Sequence, residues 1–260
     1  MSGMSGFGIL LRKELSEAWR TRRLPVVAVL FIVVGIISPL TARYLNEILA
    51  LALGDQLPVA LPDPTVATAL EQLQKNLGQL GALAAIALAM GSVSGELDRG
   101  TAALVMAQPV GRPAFLAAKL IAIAVVLGVA MLLASAVAWV YTAVLFEPVA
   151  PGGWLAMTVL SWLALLAWAA LTFLASVATG STMAAAGLGF VALIGLGLVA
   201  LVPAADRFLP TGLTAPAMSL GAGDLASVDG GRLATAVAGS VVLVVAALAG
   251  AVASFRRREL

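Results

Sequence analysis

The sequence predicts an all-α, polytopic membrane protein with six transmembrane helices, and three observations carry that reading. Of 260 residues, 62% are hydrophobic and only 11% are charged, where a soluble domain is about half apolar and about a quarter charged. The mean hydropathy is +1.07. The charges fall almost entirely between apolar runs long enough to cross a bilayer, for which about 20 residues are needed. Barrel strands would read as short alternating segments, whereas helices satisfy their own backbone hydrogen bonds as lipid demands.

In chain order, residues 7–23 read as an amphipathic interfacial helix. Phe7, Leu11, Leu15, Ala18 and Trp19 recur at spacings of three and four. Arg12, Lys13, Glu17, Arg20 and Arg23 lie elsewhere on the wheel, so the helix would rest in the headgroup layer with Trp19 at the interface. A plain basic flank that sets topology is the alternative. The predicted spans are 25–41, 77–93, 114–146, 154–178, 182–202 and 233–254. No charged residue occurs from 148 to 205, a stretch too long for one helix, and Ala178-Thr179-Gly180-Ser181 is the natural break. The basic start precedes the first apolar run by some distance and no cleavage site follows, so a removable signal peptide is not expected.

With both termini cytoplasmic, eleven of the fifteen basic residues fall inside, the asymmetry that sets orientation. Arg12, Lys13, Arg20, Arg22, Arg23, Lys119, Arg256, Arg257 and Arg258 would anchor the inner leaflet together with Trp19. Because these residues flank spans, the pI of about 9.4 reflects the lipid bilayer as partner and not nucleic acid. Externally, 42–76 reads as a helical hairpin. Leu45, Ile48, Leu49 and Ala52 would extend the first helix, and Thr65 would cap a second carrying Val66, Leu70, Leu73, Leu77 and Leu80. That stripe would pack within the hairpin or across a dimer. The connection 203–232 is rich in Pro and Gly, and part of it could re-enter the membrane edge.

Several chemistries are missing. The chain has no His and no Cys, which removes triads, imidazole relays and thiolate sites. No ionisable group sits at the middle of a span, where coupled transporters place one. No GxxxxGK[ST] stretch exists, so the chain itself holds no P-loop nucleotide. The eight Met are scattered, so no metal or cofactor is expected on this chain, and no catalytic residue.

The informative segment is the cytoplasmic loop 94–113. It contains Glu96, Asp98, Arg99, Gly100 and Thr101, then Leu104, Pro109, Val110 and Arg112, with Lys119 following. A plain connector between neighbouring helices needs about two to eight residues. Glu96, Gly100, Thr101, Leu104, Pro109, Val110, Arg112 and Lys119 resemble the loop after the second helix of ABC-2-type permeases. The basic start Arg12-Lys13-Glu14-Leu15 and the end Phe255-Arg256-Arg257 agree with that family, and the layout is most similar to NosY-type permeases. Ala102 departs from the larger apolar residue usual after the Thr.

The resemblance implies a permease subunit in a prokaryotic inner membrane, dimerising with a second copy. Separate P-loop ATPase subunits, carrying ATP and Mg, would dock on this loop as a coupling helix. Glu96, Asp98 and Arg99 would offer charged contacts there. Gly100 would let the backbone turn, Thr101 would cap the next turn, and Pro109 and Arg112 would complete the segment. The cargo would be hydrophobic or amphipathic. The alternative is a mechanotransmitter that passes motion to an extracytoplasmic protein without translocating anything.

Overall fold

The structure is a computed structural model that describes residues 3–53, 63–98 and 111–257, with side chains described at 6–51, 63–97 and 111–257. Helix α1 spans Gly3–Arg20 and α2 spans Arg23–Leu53. Next come α3 (Val66–Asn76), a π-turn (Leu77–Gly81), α4 (Ala82–Met90) and the short α5 (Ser94–Asp98). The long helices α6 (Arg112–Leu145) and α7 (Pro151–Thr179) follow, then α8 (Thr182–Val199), α9 (Thr214–Ala222) and α10 (Gly230–Arg256). Among the described residues six helices are long and apolar enough to cross a membrane, the second being the composite Val66–Leu97. No strand occurs among them.

Local chemistry sets the boundaries. Proline stands in the first turn of α6 and of α7, where a missing N–H costs nothing and the fixed φ suits the helix. Gly180 adopts a left-handed φ of 68° and stops α7. Ser181 then caps α8 by accepting from the Ala184 amide. The charge-free stretch is thus divided at the small polar interruption visible in the sequence. Thr65 and Thr68 form a reciprocal capping box at the start of α3.

The core is built around α7, which touches α4, α6, α8, α9 and α10. Close helix approach depends on small residues. A Cβ on Gly35 of α2 would run into the Ala134 carbonyl of α6. Polar side chains act as cross-links in this apolar setting. Trp154 donates to Ser135 Oγ at 2.8 Å, Ser135 pairs with Thr158, and Trp162 donates to the Ala124 carbonyl at 2.9 Å. Gln74 donates to Ser161 Oγ at 2.8 Å, tying α3 to α7.

Helix α2 continues past the predicted span end to Leu53, with Leu45, Ile48 and Leu51 exposed. Leu70 and Leu73 of α3 and Leu77 at the start of the π-turn are buried within the protomer. Leu80, the next member of that stripe, is exposed and Gly81 is buried instead. The π-turn accounts for this: its one extra residue rotates everything downstream by about a third of a turn. Residues 54–62, the turn of the expected hairpin, lie outside the described residues.

The connection after α8 folds back onto the bundle. Pro210, Gly212, Leu213, Pro216, Ala217 and Gly221 are buried. A Cβ on Gly239 would strike the Phe208 carbonyl, and one on Gly153 the Leu220 carbonyl. Arg232 donates to Asp206 at 2.7 Å and pins the connection to the start of α10.

Candidate functional site: a charged clasp beneath the loop

The site begins with the phase of α1. Its inner face carries Leu10, which is buried, with Phe7 and Leu11 packed against the core. Glu14 and Ala18 follow on that face, and both line a small cleft beside α6. Arg12, Trp19 and Arg20 are exposed on the other side. Arg22 holds a left-handed φ of 59°, rare for a residue with a long side chain. This elbow turns the chain from α1 into α2; Arg22 and Arg23 are exposed there, and Arg23 also borders the cleft.

Lys119, two turns into α6, is only 4% exposed. Its ammonium lies 3.1 Å from both Glu14 oxygens and 2.8 Å from Glu96 Oε1. An ammonium has three N–H groups, and these three oxygens match them. Lys13 closes the arrangement from outside, 3.1 Å from Glu14, 3.4 Å from Glu17 and 3.2 Å from Glu96. Burial works against the Lys13 charge, but the carboxylates of Glu14 and Glu96 outweigh it and raise its pKa above the usual lysine value. Glu14, Glu17 and Glu96 lie close enough together to hold a cation. The two lysine ammoniums supply the positive charge among these carboxylates.

The start of the loop is fixed from a second direction. The Ser94 amide donates to Ser176 Oγ of α7 at 3.1 Å, and Ser94 Oγ pairs with Thr182 Oγ1 of α8 at 2.8 Å. Its far end is fixed as well. Arg112 donates to the Arg256 carbonyl at 3.2 Å and the Phe255 carbonyl at 3.4 Å, at the end of α10. Its guanidinium lies 5.9 Å from the centre of the Phe255 ring, and Phe115 stacks on that ring at 6.0 Å.

Several expected placements change. Lys119 is not a headgroup anchor: it is buried and engaged by two carboxylates, because α1 lies across the position from which it would have reached lipid. Glu96 faces inward toward Lys119 and Lys13, and Arg112 turns toward α10. Lys13 is shared between the surface and the clasp. Asp98 ends α5. Arg99, Gly100, Thr101 and Pro109, with Arg258 at the tail, lie outside the described residues. Arg256 and Arg257 are exposed. Glu14, Ser94 and Ser176 are site residues that sequence reasoning missed. The spacing Leu10–Glu14 is the one signal that would have placed Glu14 on the inner face.

Residues 9–260 match the family described as "ABC-2 family transporter protein". A stretch of 141 residues is 30% identical to "Uncharacterized transmembrane protein YxlG" of Bacillus subtilis (strain 168), covering 53% of this chain and 54% of that protein. The chain thus spans about half the length of the curated relative it matches. A family match over nearly the whole chain joins six apolar helices and a loop whose two ends are anchored in the bundle. This multi-pass membrane protein belongs to the ABC-2 family of transporter proteins.

Proposed function

We propose that the chain is the permease subunit of an ATP-driven exporter, docking a separate P-loop ATPase through the segment 94–113. The observation that carries this is the anchoring of both ends of that segment. Ser94 and Glu96 are held to α6, α7 and α8, and Arg112 to α10. A push on such a segment is delivered to four helices at once, as rigid-body coupling requires. With Glu96 and Arg112 engaged internally, Asp98 and Arg99 are the charges that meet the ATPase. ATP and Mg reside on that subunit, and no cofactor on this chain is required.

A second copy completes the transporter. Only Ala185 and Gly189 are buried on α8, while Gly187, Gly195 and Gly197 have nothing within 4 Å. That face suits close helix contact with the second protomer. Apolar walls without charge suit a hydrophobic or amphipathic cargo. One observation favours the mechanotransmitter as a second reading: α2 exposes Tyr44, Leu45, Ile48 and Leu51 beyond its span, an apolar end available to an extracytoplasmic protein.

The test is co-purification with the ATPase subunit, followed by ATPase assays in liposomes. Asp98→Ala with Arg99→Ala is expected to lose the ATPase while leaving the permease folded. Unchanged capture and unchanged permease-stimulated hydrolysis would remove the docking role. Stimulation by lipid or drug supports export, and stimulation only by an external protein supports the mechanotransmitter.

A further inference from the structure

We propose that Glu14 and Lys119 are positioning residues that make the interfacial helix α1 part of the moving unit, so that motion of the 94–113 segment reaches α2 through α1. This rests on the docking role of that segment.

An anchor helix alone does not explain Glu14. A helix lying on lipid gains by burying apolar groups on its inner face, and a carboxylate at the centre of that face forfeits such burial. Glu14 nonetheless sits among Phe7, Leu10, Leu11 and Ala18, with both oxygens on Lys119. Lys119 in turn reaches Glu96 at the mouth of the loop. One ammonium on α6 therefore ties the interfacial helix to the loop entrance. The tie bridges residues 105 positions apart on one side and 23 on the other.

The electrostatics make the tie stiff. Lifting α1 from α6 would leave Lys119 and Glu96 buried with half their partners gone, and stripping one partner from a buried ion pair is strongly unfavourable. Sliding α1 along α6 would break the two-oxygen grip on Glu14. Displacement of the loop entrance is therefore shared with α1. Beyond α1, the chain enters α2 across two residues, Thr21 and Arg22. The Thr21 amide donates to the Glu17 carbonyl and the Arg22 amide to the Trp19 carbonyl. So short and hydrogen-bonded an elbow passes the movement of α1 to the first span.

The absence of native Cys makes the test clean. The complex with its ATPase is reconstituted in liposomes with Glu14→Gln, with Lys119→Met, and with the reversed pair Glu14→Lys plus Lys119→Glu in a chain that also carries Glu96→Lys and Lys13→Gln, because Glu96 faces Lys119 and Lys13 faces Glu14. A fourth form carries Glu14→Cys and Lys119→Cys joined by a short thiol-reactive bridge. A spin label at Ser16→Cys, on the exposed side of α1, reports its movement on ATP addition. The single variants are expected to keep the ATPase bound and to lose roughly three- to thirtyfold in permease-stimulated hydrolysis, the range typical of coupling mutations. The reversed pair and the bridge restore it, which a merely local packing defect would not allow. These two forms also decide the matter should the single variants fail to fold.

The proposal is overturned if the ATPase stays bound but neither reversal nor bridging restores hydrolysis. It is overturned equally if the label on α1 does not move during turnover in the otherwise unaltered chain. Failure of the unaltered chain to capture the ATPase would instead remove the docking role of the loop, an outcome told apart from the others by the capture step itself.

Discussion

Lys119 shows how much one buried charge can determine. Its three hydrogen bonds all go to carboxylates, and its ammonium lies over the Phe115 ring, 5.1 Å from the ring centre. Removing the charge strands Glu14 and Glu96, and breaking a buried pair costs about 3–5 kcal/mol. Lys119→Met is therefore expected to lower the thermal midpoint in detergent well below that of Lys13→Met, since Lys13 lies at the partly exposed rim. Equal losses from the two would contradict the burial argument. Arg22 makes the opposite case. Its left-handed backbone costs about 1–2 kcal/mol for a residue with a Cβ, so Arg22→Gly is expected to be neutral or slightly stabilising in the same melt. A clear loss would mean that the guanidinium holds the elbow. Neither role was legible beforehand. A lysine at the cytoplasmic start of a span reads by default as a lipid anchor, and nothing local reveals that another helix lies across it. Glu14 follows Lys13 in a basic stretch, and only the exact phase of α1, set by Leu10 packing inward, separates the two.

At the scale of elements, the spans were far more legible than their contacts. Apolar length and the Thr179–Ser181 interruption are local features, and they specify where helices run whatever surrounds them. The π-turn at Leu77–Gly81 is different. It trades a hydrogen-bonding pattern for a better fit of Gly81 against Leu165, a tertiary advantage with no signature in periodicity. The roles of the glycines were partly legible for the same reason: small residues announce close packing without saying against what. Gly35 packs on Ala134, whereas Gly195 meets nothing within 4 Å. Gly35→Leu is therefore expected to destabilise the protomer by roughly 1–3 kcal/mol or more, as overpacking does. Gly195→Leu should leave the protomer's thermal midpoint unchanged, and any loss it causes should appear in dimerisation measured by crosslinking. If Gly195→Leu melts the protomer itself, α8 is not the free face that its burial indicates.

For the whole molecule, the distribution of charge decides which end faces the cytoplasm. The clasp, Arg112, Arg256 and Arg257 gather at one end of the bundle, where the loop joining α5 to α6 begins and ends. The Asp206–Arg232 pair and the capping box of α3 mark the other. Basic residues within about 15–20 residues of span ends set orientation, and acidic ones contribute little. Nine of the thirteen basic residues among the described residues lie on the side of the clasp, so that side is expected to face inward. A docking segment requires the same orientation, because ATP is cytoplasmic, and the two arguments are independent. The absence of native Cys permits a direct check on intact cells with a membrane-impermeant maleimide. Ser227, exposed in the turn before α10, and Ser16, exposed on α1, are each changed to Cys in separate chains. Ser227→Cys should label in intact cells, and Ser16→Cys only after the membrane is opened. The reverse pattern would place α1 and the loop outside, away from any ATP-driven partner, and the docking role would fall with the orientation.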